Sequence, residues 1–296
     1  MTGTPPHPHQ PFISGISVSA IGTTAHQHLI QNRSATVIGV SSRGIFLKLT
    51  SDWILFLSSE PHRGPLTLNI TGIEAALKTF HKGNQAEFQP KTIYFPDQDL
   101  NISISTADLW QALPPDGSAL PPAELIRNNQ GVESILHTDH LTYLDPLTSA
   151  ISSLEAALTS KQLESSLDAI QLILGYGPGL TPLGDDILLG LLLALNRWNH
   201  LLIPGFNLHI LNQEICSSAR LKTTTLSANL ITCATHGQAD ERLVSALDGL
   251  MTGKTDLQTC AKLLASWGSS SGRAALVGMN LAIKNLVSLT GSTICA

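Results

Sequence analysis

The stretch Leu174-Gly175-Tyr176-Gly177-Pro178-Gly179-Leu180-Thr181-Pro182-Leu183-Gly184-Asp185-Asp186 runs straight into Ile187-Leu188-Leu189-Gly190-Leu191-Leu192-Leu193-Ala194-Leu195, and it decides how the second half of the chain is read. Glycines let a backbone turn tightly and approach a ligand closely. Thr181 is a suitable N-cap and Pro182 a suitable first helical residue, so a glycine-rich turn delivers a helix start. Two carboxylates then fall in or just beyond its first turn. The run behind them shows no polar face before Asn196, which predicts a helix buried all round. Two acids at the end of a buried helix are costly unless something pairs with them.

Working outward, the character of the chain changes near residue 145. Before it, short β-branched segments at 35–40, 44–49, 53–57, 66–70, 92–95 and 102–105 are punctuated by Gly, Pro, Asp and Ser. This is the pattern of an antiparallel sheet or small barrel, with a short helix at 73–80 and another near 122–128. After it, apolar residues recur at three- and four-residue spacing, predicting helices at 147–160, 163–174, after Thr181, and at about 207–218, 221–235, 239–250, 256–266 and 273–288. The expected class is α+β: a tail at 1–12, a β-rich domain at 13–145, and an α-helical bundle at 146–296 that carries the Asp-Asp motif.

Composition narrows the function. The 296 residues carry a net charge of −5, with no Lys/Arg cluster, so nucleic acid is not an expected partner. The longest apolar run, 187–195, is too short for a bilayer span. The Pro- and His-rich start, with His7 and His9, lacks the pattern of a signal peptide. A soluble cytoplasmic protein is expected. Cys216, Cys233, Cys260 and Cys295 show no C-x-x-C spacing and read as reduced, mostly buried thiols. His26 and His28, two apart, would share one face of a strand, and nothing nearby completes a ligand set.

Three motifs can carry chemistry. The first, Gly175 to Asp186, is neither a Walker loop nor a dinucleotide fingerprint. Helix-start amides favour an anion, whereas Asp185 and Asp186 oppose one. A Mg²⁺ bridging carboxylate and phosphate would reconcile the two, as would acids that accept ligand N–H groups; simple dipole complementation is the plain structural alternative. The second, Arg220-Leu221-Lys222-Thr223-Thr224-Thr225-Leu226-Ser227, sets Thr223 and Ser227 on one helix face beside cations, either as an anion-contacting stripe or as an ordinary capped helix start. The third is Gly268-Ser269-Ser270-Ser271-Gly272-Arg273. It formally matches a Gly-x-Ser-x-Gly elbow, but a helical pattern precedes it and no acid or His follows Ser270, so nucleophilic serine catalysis is not expected. There is also an internal echo. Leu183 to Gly190 and Ser271 to Gly278 share a Gly, five residues, Gly frame, which puts Arg273 in the place of Asp185. Either this is chance, or it marks two related halves whose helix starts face one cleft, with Arg273 near the acids.

In that order, Gly-x-Gly-Pro-Gly-Leu-Thr-Pro-x-Gly-Asp-Asp, Arg-x-Lys-Thr-Thr-x-x-Ser and Gly-x-x-Ser-Gly resemble the bacterial AllH-type family, over about 175–280. Gly64 to Ile70 is also compatible with it. The family's pattern has Ser where this chain has Leu183, and an aromatic residue then Asp where it has Arg273-Ala274. The best-known members are a subunit of oxamate carbamoyltransferase, in allantoin and purine catabolism. The resemblance implies carbamoyl transfer between an oxalurate-like ureido acid and phosphate, within a hetero-oligomer of carbamoyltransferase subunits. The acid pair, with Arg273 set opposite it by the echo, supplies the catalytic candidates Asp185, Asp186 and Arg273. Gly177, Gly179, Thr181, Gly184, Lys222, Thr223, Thr224, Ser227, Ser270, Ser271 and Gly272 are the candidates for contacting a small anionic substrate. Mg²⁺ is the one cofactor the motif suggests. A non-catalytic module that binds a small anionic metabolite or phosphate is the competing reading.

Overall fold

The computed structural model describes residues 16–137, 142–201 and 206–287. The expected tail at 1–12 and Cys295 lie outside them. The chain divides into two compact units, one formed by residues up to Pro61 with Thr67–Leu109, the other by His62–Leu66 with the chain from Trp110 onward.

The first unit is a β-barrel. Its strands are β1 (Ser17–Gly22), β2 (Ser34–Ser41), β3 (Gly44–Leu49), β4 (Ile54–Ser58), β5 (Thr67–Thr71), β6 (Gln85–Gln89), β7 (Thr92–Phe95) and β8 (Leu100–Ser103). They are joined in the order β5-β4-β3-β2-β6-β7-β8-β1, and an antiparallel β1–β5 pairing closes the ring. A short β9 (Asp108–Trp110) extends the sheet beside β1. Alternation fills the inside: Ile45, Leu47 and Leu49 of β3, Leu55 and Leu57 of β4, and Ile93 and Phe95 of β7 share one core. The segment Thr23–Gln31 is a helix, α1, and not a strand. Its Ala25 and Leu29 enter the barrel core, and His28 stacks on Trp53. The helical spacing of those two apolar residues outweighs the local β pattern, so His26 and His28 do not share a strand face. A four-residue helix, α2 (Glu74–Leu77), lies within the expected 73–80 segment.

The second unit is helical: α3 (Pro122–Leu136), α4 (Thr148–Thr159), α5 (Leu163–Ile173), α6 (Leu183–Arg197), α7 (Leu208–Lys222), α8 (Thr225–Ala234), α9 (Glu241–Thr252), α10 (Leu257–Ser266) and α11 (Ser271–Val287). Helix α6 is buried on every side from Gly184 to Leu195, as its unbroken apolar run predicts. Its main partner is α11, and two glycines set how close they come. A Cβ on Gly190 would sit 1.9 Å from the Ala275 carbonyl oxygen, and one on Gly278 would sit 1.8 Å from that of Ile187. Asp186 in the first turn of α6 has the Ser271 side chain, at the first residue of α11, beside it, so the two N-termini lie together.

That pairing is reciprocal. In the echo frame Gly190 corresponds to Gly278 and Ile187 to Ala275, so each contact maps onto the other. The flanking elements follow suit. Helices α4 and α5 form a short-looped antiparallel hairpin ahead of α6, as α9 and α10 do ahead of α11. A Cβ on Gly184 would strike the Ile173 carbonyl at the end of α5, and one on Gly272 would strike the Leu264 carbonyl near the end of α10, each at 1.8 Å. The echo is thus a repeat of three helices, α4–α5–α6 and α9–α10–α11.

Candidate functional site

The site is assembled where α6 begins. After α5 the chain passes through Gly175, Gly177 and Gly179, with φ of +77°, +111° and +103°, a region that L side chains rarely adopt. At Gly175 there is a second reason for glycine: a Cβ would lie 2.5 Å from the Lys222 carbonyl oxygen. The loop closes on itself when the Gly184 N–H donates to the Tyr176 carbonyl at 2.9 Å. Pro182 is the N-cap of α6, one residue later than expected, and no side chain caps it. Thr181 therefore does not cap the helix. Proline sets a suitable φ and has no N–H of its own to satisfy.

Asp185 holds this loop in place. Its Oδ1 accepts the Gly175 N–H at 2.7 Å, and its Oδ2 accepts the Thr223 hydroxyl. Thr223 is extended, so the expected continuous helix over 221–235 is broken between α7 and α8. Thr224 causes the break. It is the N-cap of α8, where its hydroxyl accepts the Ser227 N–H at 3.1 Å and donates to the Leu180 carbonyl at 2.5 Å. The α7–α8 junction thus grips the Gly-rich loop at two points. Thr223 and Ser227 do not share a helix, yet both come to Asp185.

Asp186 is placed differently. It is 3% exposed and turns toward α11, where the Ser271 side chain lies beside it. Burial pushes its carboxyl up to about 7, helped by the neighbouring Asp185 charge and opposed by Ser271. Burial also raises Asp185, but Thr223, Gly175 and Ser227 pull it back. Ser227 is 2% exposed, and its Oγ lies beside Asp185 without a hydrogen bond of good geometry to any described residue. A buried hydroxyl left so is uncommon and costs free energy unless a ligand or water meets it.

The other expected contacts fall around this centre. Gly272, like Gly184, permits close helix packing. Ser270 is exposed, and its carbonyl accepts the Ala274 N–H in the first turn of α11. Lys222 is exposed at the end of α7. Arg273 does not reach the acids. Its Nε donates to the Leu136 carbonyl at 3.2 Å, and its terminal nitrogens have no partner among the described residues. The reason is rotational: two residues beyond Ser271 a helix has turned by about 200°, so Arg273 faces α3 while Ser271 faces α6. Gly175, outside the expected contact set, turns out to be a direct donor to Asp185; its place beside the motif's first turn was the available signal.

A divalent cation fits this donor set poorly. Both oxygens of Asp185 already accept protein donors, and among the described residues no group of three or more His, Cys, Asp or Glu side chains could hold a metal. The arrangement suits a ligand with N–H groups to give to Asp186 and negative charge to set near the paired helix starts.

Residues 173–283 match the model of a family described as "Oxamate carbamoyltransferase subunit AllH". The match covers less than half of the chain and runs from the end of α5 into α11, so it contains every residue of the site just described. It agrees with the AllH-type resemblance carried by the three motifs. No curated protein and no solved structure shows a significant match.

Proposed function

We propose that this chain is a subunit of a carbamoyltransferase resembling oxamate carbamoyltransferase, and that it takes part in moving a carbamoyl group between an oxalurate-like ureido acid and phosphate. The observation that carries this is the coincidence of the AllH match with the site: the matched segment is the one that builds the glycine loop, the acid pair and the α11 start. The chemistry supports it. A carbamoyl or ureido NH₂ needs a buried acceptor, which Asp186 supplies. The anionic end needs positive potential, which two neighbouring helix starts and the exposed Lys222 supply. Carbamoyl phosphate carries a good leaving group, so positioning and electrostatics suffice without a protein nucleophile.

A family named for a subunit implies partner subunits, and we assign this chain to a hetero-oligomer of that kind. No helix among the described residues is long and apolar enough to cross a membrane. The described cysteines, Cys216, Cys233 and Cys260, form no disulfide, which fits a reducing, cytoplasmic compartment engaged in purine or allantoin breakdown. The test is co-purification from the native host, followed by an assay for carbamoyl phosphate made from phosphate and oxalurate. Turnover that requires this chain is expected. A chain that binds phosphate or oxalurate but adds nothing to turnover by its partners would instead be a non-catalytic binding module.

A further inference from the structure

We propose that the two neighbouring acids divide the work: Asp185 is a positioning residue that fastens the Gly-rich loop, and Asp186 is the group that exchanges a proton with the ligand's nitrogen during carbamoyl transfer. This rests on the function proposed above and assigns roles within that site.

Geometry separates the two carboxylates. Asp185 has each oxygen engaged by the protein, Oδ1 by the Gly175 N–H and Oδ2 by the Thr223 hydroxyl. It has little left to offer a ligand; burial raises its carboxyl, and those donors offset part of the rise. The Asp186 carboxylate makes no comparable hydrogen bond among the described residues; the Ser271 side chain of the opposite repeat lies beside it, at the end where two helix starts meet. Beside the pair lies the buried Ser227 hydroxyl, without a hydrogen bond of good geometry to any described residue. The nearby charged or titratable groups are Tyr176 in the loop, Lys222 at the end of α7 and Arg273 on α11, and no ion pair joins any of them to Asp186. Burial, with Asp185 adjacent, pushes the Asp186 carboxyl up to about 7, where it can both give and take a proton. Two acids whose environments set their proton affinities apart are an established route to separate acid and base roles.

The step balances. In the cleavage direction a phosphate oxygen forms a bond to the carbamoyl carbon, and the bond from that carbon to the ureido nitrogen breaks. The electron pair stays on the nitrogen, which takes the proton of Asp186 and leaves as an amide. The proton that hydrogen phosphate loses restores Asp186. In the reverse direction the amide nitrogen attacks carbamoyl phosphate, the carbon–oxygen bond to phosphate breaks with its electron pair on the departing oxygen, the nitrogen gives its proton to the Asp186 carboxylate, and Asp186 passes a proton to phosphate, which leaves as hydrogen phosphate.

The experiment has two readouts. Carbon-13 NMR of aspartate-labelled full-length chain should show one carboxyl titrating with a midpoint of about 7. It should vanish in Asp186→Asn, move down in Asp185→Asn and move up in Ser271→Ala. In the native complex, the cleavage rate should fall as pH rises above that midpoint. This limb should be lost in Asp186→Asn and displaced to higher pH in Ser271→Ala. A wild-type complex that makes carbamoyl phosphate while no aspartate titrates outside the ordinary carboxylate range overturns the division of roles. So does an Asp186→Asn complex that keeps the wild-type pH profile. A wild-type complex that makes no carbamoyl phosphate fails the functional reading instead, and the NMR midpoint reports Asp186 independently of it.

Discussion

Between α5 and α6 the chain runs through residues 174–182; between α10 and α11 the matching connection is only 267–270. Both connections end in a helix whose second residue is a glycine pressed against the preceding helix. The first start then carries Asp185 and Asp186, where the second carries Arg273 and Ala274. The extra residues are the glycine loop, and Asp185 ties it down while Asp186 reaches across to Ser271. One repeat has thus acquired a loop and a pair of acids. The other supplies a hydroxyl and a rigid surface to press against. The common frame serves packing, and the site lies in what the two copies do not share.

The largest expected effect breaks what they do share. Gly190→Ala and Gly278→Ala each place a Cβ within 2 Å of a backbone carbonyl on the facing helix. Each should cost about 2–3 kcal/mol, because overpacking between rigid helices outweighs the roughly 1 kcal/mol gained in helix propensity. The measurement is chemical denaturation of both variants. Similar losses support the repeat, and a loss at one position alone breaks it.

Next comes the loop clamp, which has no counterpart in the second repeat. Asp185→Ala leaves the Gly175 N–H and the Thr223 hydroxyl without their acceptor, at about 1–3 kcal/mol. Hydrogen exchange at Gly175 should rise while amides in the middle of α6 stay protected. Unchanged exchange at Gly175 would remove the positioning role.

A smaller effect distinguishes the acids by pH. The folded-state pKa of Asp186 is raised from 3.8 to about 7. Between these values the unfolded chain has lost a proton that the folded chain keeps, so stability falls as pH rises through the window and levels off above it. Asp186→Asn removes this slope. The variant should gain stability relative to wild type as pH is taken from about 4 to about 7, by an amount of order 1 kcal/mol or more. Parallel stability curves would place Asp186 in an ordinary solvated setting. Ser271→Ala should be the mildest change, at about 1 kcal/mol or less.

Much of this was legible in the amino-acid order, for identifiable reasons. The period-two apolar segments gave the barrel, and the unbroken run after Asp186 gave a buried helix, because both patterns report directly on which faces meet water. Thr223 and Thr224 were harder. Their local pattern continues a helix, and only the tertiary contacts of Asp185 and Leu180 show that the chain breaks there. Pro182 took the N-cap from Thr181 because a fixed φ competed with a side-chain hydrogen bond. The partner of Asp186 was misplaced for a rotational reason: aligning Asp185 with Arg273 in the echo does not aim them at each other, whereas Ser271, at the helix start, faces α6. The orphan hydroxyl of Ser227 leaves no trace in sequence, since burial and missing partners exist only in three dimensions.

The central claim, that the acid at the α6–α11 start handles the carbamoyl group, is tested most directly by carbamoyl phosphate formation in the native complex carrying Asp186→Asn. A loss of tenfold or more is predicted, equivalent to about 1.4 kcal/mol of lost transition-state stabilisation, with the complex intact and the chain at least as stable as wild type at neutral pH. Wild-type turnover by that variant would contradict it.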